Sequence, residues 1–157
     1  MEKFTLGQKR PLIIAGPCSA ETREQTMETA LKLARSGKVD VIRAGIWKPR
    51  TKPGTFEGIG EVGLEWLSEV KRQTGIPIAV EVANHTHVQT ALKYGVDILW
   101  IGARTTVSPF AVQEIAEALH DNKDVTVLVK NPMTPDINLW EGAVKRLIAE
   151  GVPEKNI

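Results

Sequence analysis

Val39-Asp40-Val41-Ile42-Arg43-Ala44-Gly45-Ile46-Trp47-Lys48-Pro49-Arg50-Thr51-Lys52-Pro53-Gly54 begins as an apolar strand, Val39 to Ile42, and ends as a basic loop. Arg43 stands at the tail of the apolar run. Burying an unpaired charge there costs several kcal/mol, so a native strand keeps one only with a partner. The loop supplies no carboxylate before Glu57, while Lys48, Arg50 and Lys52 add further cations. The missing partner expected from the sequence is an anionic ligand, small and phosphorylated or carboxylated.

The same handover from apolar run to polar loop recurs along the chain. β-Branched runs occupy Leu12–Ala15, Val39–Ile42, Ile78–Val82, Ile98–Ile101 and Val125–Val129. Each precedes a helical pattern with apolar residues at i, i+3, i+4 and i+7 in whole or part. The faces are Met27, Ala30, Leu31 and Ala34; then Val62, Trp66, Leu67 and Val70; then Val88, Ala91 and Leu92. Val112, Ile115, Ala116 and Leu119 mark a fourth, and Trp140, Val144, Leu147 and Ile148 a fifth. Ser108-Pro109 reads as N-cap and N1 proline, and Asn138 with Glu141 as a capping box. Gly37, Gly75, Gly95 and Gly151 follow four of the helices, where a left-handed residue is wanted. About five β-α units imply a parallel sheet with helices on its faces. An open doubly wound sheet and a (β/α)₈ barrel both fit. The first strand-to-helix turn, Gly16-Pro17-Cys18-Ser19-Ala20-Glu21, is neither a dinucleotide fingerprint nor a P-loop. The cluster of polar residues at the strand ends slightly favours the barrel.

Composition sets limits. The 157 residues, 42% hydrophobic, suit one domain. With 20 basic and 19 acidic residues the net charge is +1, so no nucleic-acid partner is expected and any positive field is local. A lone cysteine, Cys18, permits no internal disulfide. The N-terminus lacks an apolar leader and no run of about 18 apolar residues occurs, so a soluble, non-secreted chain without a membrane partner is expected.

The chemistry concentrates at strand ends. Arg43, Lys48, Arg50, Arg104 and Lys130 come from three of them, and a parallel sheet would gather those ends round one cleft. Arginine grips phosphate or carboxylate in bidentate fashion, whereas lysine serves as a movable charge and proton donor. Arg43 and Lys130 adjoin apolar strand residues, which argues against simple solvated charges; for Arg50 and Lys52 the solvated alternative is equally good. Glu81, inside Val80-Glu81-Val82, is a partner for those cations or an orienter of water. Cys18 is either packing or, with cations beside it, a thiolate fit for a metal or a nucleophilic role. His85 and His87 read as a helix start. Trp47, Trp66, Trp100 and Trp140 read as packing, with Trp47 a possible cleft wall.

Four motifs, Ala15-Gly16-Pro17-Cys18-Ser19, Arg43 with Lys48-Pro49-Arg50-Thr51, Ile101-Gly102-Ala103-Arg104-Thr105 and Val129-Lys130-Asn131-Pro132, together resemble the successive strand ends of type I 3-deoxy-D-arabino-heptulosonate 7-phosphate (DAHP) synthase, in its short form. The resemblance implies an α/β (β/α)₈ TIM barrel of which about the first five units are present. Residues 1–157 would form a single domain, the N-terminal part of the barrel, without a regulatory N-terminal domain. It further implies condensation of phosphoenolpyruvate with erythrose 4-phosphate, the first step of the shikimate pathway, in the cytoplasm. Cys18 matches a ligand of a divalent metal (Mn, Fe, Co or Zn) whose other ligands lie on later strands, without counterparts here. Arg43, Lys48, Arg104 and Lys130 match residues that hold phosphoenolpyruvate. Arg50 and Thr51 match contacts to erythrose 4-phosphate. Lys48 matches the proton donor to the aldehyde oxygen, and Glu81 a carboxylate near the attacking water. A homo-oligomer is expected, and a fused chorismate mutase domain occurs in some members. On this reading the chain as given is an inactive N-terminal portion. The sister family, 3-deoxy-D-manno-octulosonate 8-phosphate synthase, typically carries Lys-Ala-Asn-Arg-Ser where this chain has Lys48-Pro49-Arg50-Thr51, which favours the four-carbon sugar. The remaining alternatives are a non-catalytic partial barrel that binds phosphate or phosphoenolpyruvate, and a structural fragment that pairs with a missing half or a second copy.

Overall fold

A computed structural model describes residues 11–122 and 124–157. The elements alternate as expected: β1 (Ile14–Ala15), α1 (Arg23–Arg35), β2 (Val41–Ala44), α2 (Val62–Thr74), β3 (Ile78–Val82), α3 (His85–Lys93), β4 (Ile98–Ile101), α4 (Ala103–Thr106), α5 (Pro109–Ala118), β5 (Thr126–Val129) and α6 (Ile137–Ala149), with a closing 3₁₀ turn at Glu154–Asn156. The strands form one sheet in chain order, β1-β2-β3-β4-β5. Pairing is parallel, with Ile14 opposite Val41 in β1–β2 and Ile98 opposite Thr126 in β4–β5. The chain divides into two compact units, one ending at Ala79 and one running from Val80 to Ile157.

In the first unit, Thr22 caps α1 by accepting from the Gln25 amide, which satisfies a donor the helix leaves free. Met27 and Ala30 of α1 and Leu64, Leu67 and Val70 of α2 supply the buried faces. Burying a leucine or valine fully contributes about 1.5–3 kcal/mol, so these positions outweigh the exposed Arg23–Glu69 ion pair between the same helices. Val62, expected on the buried stripe of α2, is 45% exposed. The stripe runs instead through Gly63, Leu64, Leu67 and Val70, because Gly63 packs directly on Ile46. Gly75 ends α2 at φ 71°, in the left-handed region where a Cβ is costly.

β2 also differs from expectation. It runs from Val41 to Ala44, so Arg43 lies within the strand and not after it. Asp40 precedes the strand and accepts the Ile13 amide through its carboxylate at 2.8 Å, tying down the start of β1.

In the second unit β4 is buried along its whole length. Val112, Ile115, Ala116 and Leu119, at helical spacing on and just after α5, are fully buried, and α5 packs against α3 and α6. Ser108 caps α5 and Pro109 occupies its first turn, as the sequence indicates. The capping box expected at Asn138 and Glu141 is not formed. Asp136 is the N-cap, and its carboxylate accepts from the amides of Asn138 and Leu139, so Asn138 already belongs to the first turn. Trp140 and Ile148 sit at the margin of α6, while Ala143 and Leu147 form its buried seam. No helix among the described residues is long and apolar enough to cross a membrane.

Candidate active site

In the first unit, the end of β1 and the end of β2 are held together by groups that carry charge. The Arg43 guanidinium donates from Nη1 to the Pro17 carbonyl at 2.9 Å. The Lys48 ammonium donates to the Cys18 carbonyl at 2.8 Å and lies 3.6 Å from Cys18 Sγ. These approaches require bare backbone. A Cβ on Gly16 would stand 1.9 Å from the Arg43 carbonyl oxygen, and one on Gly45 would stand 2.4 Å from the Cys18 oxygen and 2.8 Å from Lys48 Nζ. The Ala20 amide closes the same junction on the Gly45 carbonyl at 3.0 Å.

This junction corrects the reading of Arg43 as a charge without a protein partner. Arg43 is half-buried, and the Pro17 carbonyl and the Cys18 thiol receive it. Backbone carbonyl dipoles satisfy a guanidinium without any acidic residue. The thiol responds in turn: the Lys48 charge, and next a hydrogen bond from Arg43, hold the pKa of exposed Cys18 below the usual thiol range. Cys18 is therefore biased toward the thiolate. Among the described residues no group of three or more His, Cys, Asp or Glu side chains comes together. One thiolate does not make a metal centre, which takes roughly four or more donors.

The basic loop continues from Lys48, whose amide donates to the Glu57 carbonyl at 2.8 Å. Arg50 is exposed and turns its Nε onto the Phe56 carbonyl at 3.0 Å, while Thr51 is exposed on the same loop.

In the second unit Glu81 is half-buried in β3. Its carboxylate rests on Gly102, where a Cβ would stand 2.0 Å from Oε1. Gly102 ends β4 and opens α4, a single turn that was expected to be loop and that carries Arg104 into solvent. Lys130 follows β5 and is exposed, so its apolar strand neighbours do not bury it as expected. Its backbone is nonetheless fixed: its amide donates to the Ile101 carbonyl at 3.1 Å and its carbonyl accepts from the Thr106 hydroxyl at 2.9 Å. Trp140 donates its indole N–H to the Val129 carbonyl, one residue earlier.

His85 and His87 lie in the first turn of α3, the helix start expected from the sequence. His85 is exposed at the start of α3, and His87 accepts the Ala83 amide on Nδ1 at 3.3 Å. Burial lowers the pKa of His87 and keeps the imidazole neutral, which suits that acceptor role.

Sequence reasoning thus located Cys18, Arg43, Lys48, Glu81, Arg104 and Lys130 at or beside the C-terminal ends of their strands. It missed Gly45, Gly102 and Thr106, which hold them there. The Gly-Ala-Arg-Thr-Thr run after β4 was the available signal: a glycine and a second hydroxyl residue flanking an arginine that needs a fixed base.

Comparison with known proteins bears on the fold and the family. A phosphoheptonate aldolase of Thermotoga maritima, phospho-2-dehydro-3-deoxyheptonate aldolase, is 47% identical over 92 residues, covering 59% of this chain and 27% of that protein. A 2-dehydro-3-deoxyphosphooctonate aldolase of Stenotrophomonas maltophilia is 38% identical over 90 residues, covering 53% of this chain and 33% of the relative. The crystal structure of the Thermotoga maritima DAHP synthase superposes with a TM-score of 0.76 at 32% identity, over 91% of this chain and 39% of that one. A truncated form of that synthase gives 0.72 at 31% identity, over 91% of this chain and 49% of the other. The chain thus spans well under two thirds of each of these proteins, and its five β-α units match part of their TIM barrel. The profile of the DAHP synthetase I family matches residues 2–157, and the chain belongs to that family.

Proposed function

We propose that this protein, in its intact form, joins phosphoenolpyruvate to erythrose 4-phosphate to give DAHP and phosphate. The observation that carries the reading is positional. Cys18, Arg43, Glu81, Arg104 and Lys130 stand at or within a few residues of the C-terminal end of a strand, where α/β folds do their chemistry, and Lys48, Arg50 and Thr51 follow on the loop after β2. Arg43, Lys48, Arg104 and Lys130 would hold the phosphate and carboxylate of phosphoenolpyruvate, and Arg50 and Thr51 the sugar phosphate.

The electrons move as follows. The C2–C3 π pair of phosphoenolpyruvate forms a bond to the aldehyde carbon. The carbonyl pair moves onto the aldehyde oxygen, which takes a proton from the Lys48 ammonium. Water then adds to C2 as Glu81 accepts one of its protons, and the C2–O bond to phosphate breaks as the departing phosphate takes the remaining hydroxyl proton, leaving the ketone. Lys48 suits its role because the Cys18 carbonyl fixes its ammonium at 2.8 Å. Glu81 suits its role because Gly102 leaves its carboxylate room. Metal dependence is general in the family. Cys18 is the donor this chain offers, and since the described residues alone do not complete a metal centre, no step above runs through one.

The second reading is the sister reaction, favoured by the octonate-forming relative at 38% identity. Carbon count separates the two: phosphoenolpyruvate supplies three carbons, so a heptonate needs a four-carbon aldehyde and an octonate a five-carbon one. Product mass and phosphate release, measured on the intact enzyme with each aldehyde phosphate and a divalent metal, decide the matter. The proposal expects the seven-carbon acid from the four-carbon aldehyde. Product from the five-carbon aldehyde alone would move the protein to the sister reaction. Binding of phosphoenolpyruvate without any product would leave a binding module.

A further inference from the structure

The β4–α4 turn contains a buried hydroxyl that the catalytic scheme does not use. Thr106 is 1% exposed, and its Oγ1 lies 3.0 Å from the Gly102 carbonyl and 2.9 Å from the Lys130 carbonyl. A threonine hydroxyl carries one proton, so it can donate fully to only one of them. The Gly102 oxygen already accepts two backbone amides, from Thr105 and Thr106, both at 2.9 Å. A carbonyl has two lone pairs, so Gly102 is satisfied without the hydroxyl. The proton therefore belongs on the Lys130 oxygen.

The consequence falls on Lys130. Its amide is tied to the last residue of β4, Ile101, and its carbonyl to the last residue of α4, Thr106. Both faces of one peptide position are pinned to the segment that carries Arg104. The side chain of Lys130 is exposed, so its direction depends on how its backbone is held. We infer that Thr106 is a positioning residue that fixes Lys130 relative to Arg104, so that the two cations present a preset pair to a phosphorylated, carboxylated ligand. This deepens the reading above and rests on it for the identity of the ligand. A preset pair loses less freedom on binding, and this is where the affinity arises.

The test is calorimetric titration of phosphoenolpyruvate into the protein and four variants. Thr106→Val keeps the shape and removes the hydroxyl, and Thr106→Ala is a second probe should valine perturb folding. Thr106→Ser restores the donor. Lys130→Met removes the charge Thr106 is argued to act through. Loss of one such bond corresponds to about a three- to tenfold rise in Kd for Thr106→Val, with Thr106→Ser near wild type. In the Lys130→Met background the valine substitution should add nothing, since residues acting as a unit are not additive. A lowered melting temperature with unchanged Kd, or an equal loss of affinity in both backgrounds, overturns the inference and leaves the proposed function standing. A wild-type protein that binds neither phosphoenolpyruvate nor inorganic phosphate overturns both.

Discussion

The two units place their charges in opposite ways. In the first, Arg43 and Lys48 turn inward onto protein groups, the Pro17 and Cys18 carbonyls and the Cys18 thiol. In the second, Arg104 and Lys130 turn outward into solvent while their backbones are locked by Gly102, Ile101 and Thr106. Charges satisfied by the protein are oriented before any ligand arrives and are suited to moving protons. Charges presented to solvent give up water to a ligand, and are suited to binding. Cations within or after the ends of apolar strands therefore serve two physical ends, and glycines make room in both regions. Gly16 and Gly45 permit the inward approach, and Gly102 clears space for Glu81.

The inward junction should be the more brittle. The group facing a Cβ at residue 16 is backbone, the Arg43 carbonyl, and cannot swing aside. Gly16→Ala should cost about 3 kcal/mol or more, read by chemical denaturation. Stability within a few tenths of wild type would show that the two strand ends are not locked together.

Gly102→Ala should act differently, since its clash is with the end of the Glu81 side chain, which can move. The fold should persist while kcat falls by about 10- to 100-fold, because a misplaced group costs on that scale. An unchanged kcat would remove Glu81 from the reaction.

The thiol reports the inward region more gently. Lys48→Met should move the pH profile of Cys18 alkylation to higher pH, because the Lys48 charge is the largest cause of its lowered pKa. Arg43→Met should move it less. An identical profile in Lys48→Met would separate the lysine from the thiol.

The smallest expected effect is at His87. Its folded pKa is depressed below 6.5 by burial, so the unfolded chain binds the proton more readily. The associated stability is present above about pH 6.5 and is lost as pH falls through the lower folded value. Protonation also removes the acceptor for the Ala83 amide. His87→Gln should flatten the dependence of melting temperature on pH across that window, and an unaltered slope would place the titration elsewhere.

What was legible in the sequence was what residue type and period encode. β-Branched runs marked the strands, helical spacing marked α5, and Ser108-Pro109 marked its start. Arg104 and Lys130 stood out as cations just past apolar runs. The hidden part lies in approaches between backbones distant in sequence. Arg43 finds a carbonyl 26 residues away and Thr106 one 24 residues away, and any residue can supply a carbonyl. The cap of α6 was misplaced by two residues because Asp136 and Asn138 are both good caps, and only the entry angle of the chain selects between them. Val62 was misassigned because Gly63, with no side chain to register as apolar, is the residue that meets Ile46.

The contrast between inward and outward cations reduces to one pair of titrations with phosphoenolpyruvate. Arg104→Ala should raise its Kd by about 10- to 100-fold, the loss of a charged hydrogen-bonded contact. Lys48→Met should raise Kd clearly less than Arg104→Ala does while abolishing turnover, because its ammonium is already engaged by Cys18. Equal losses of affinity in the two variants, or no loss in Arg104→Ala, would contradict the division of labour between the two regions.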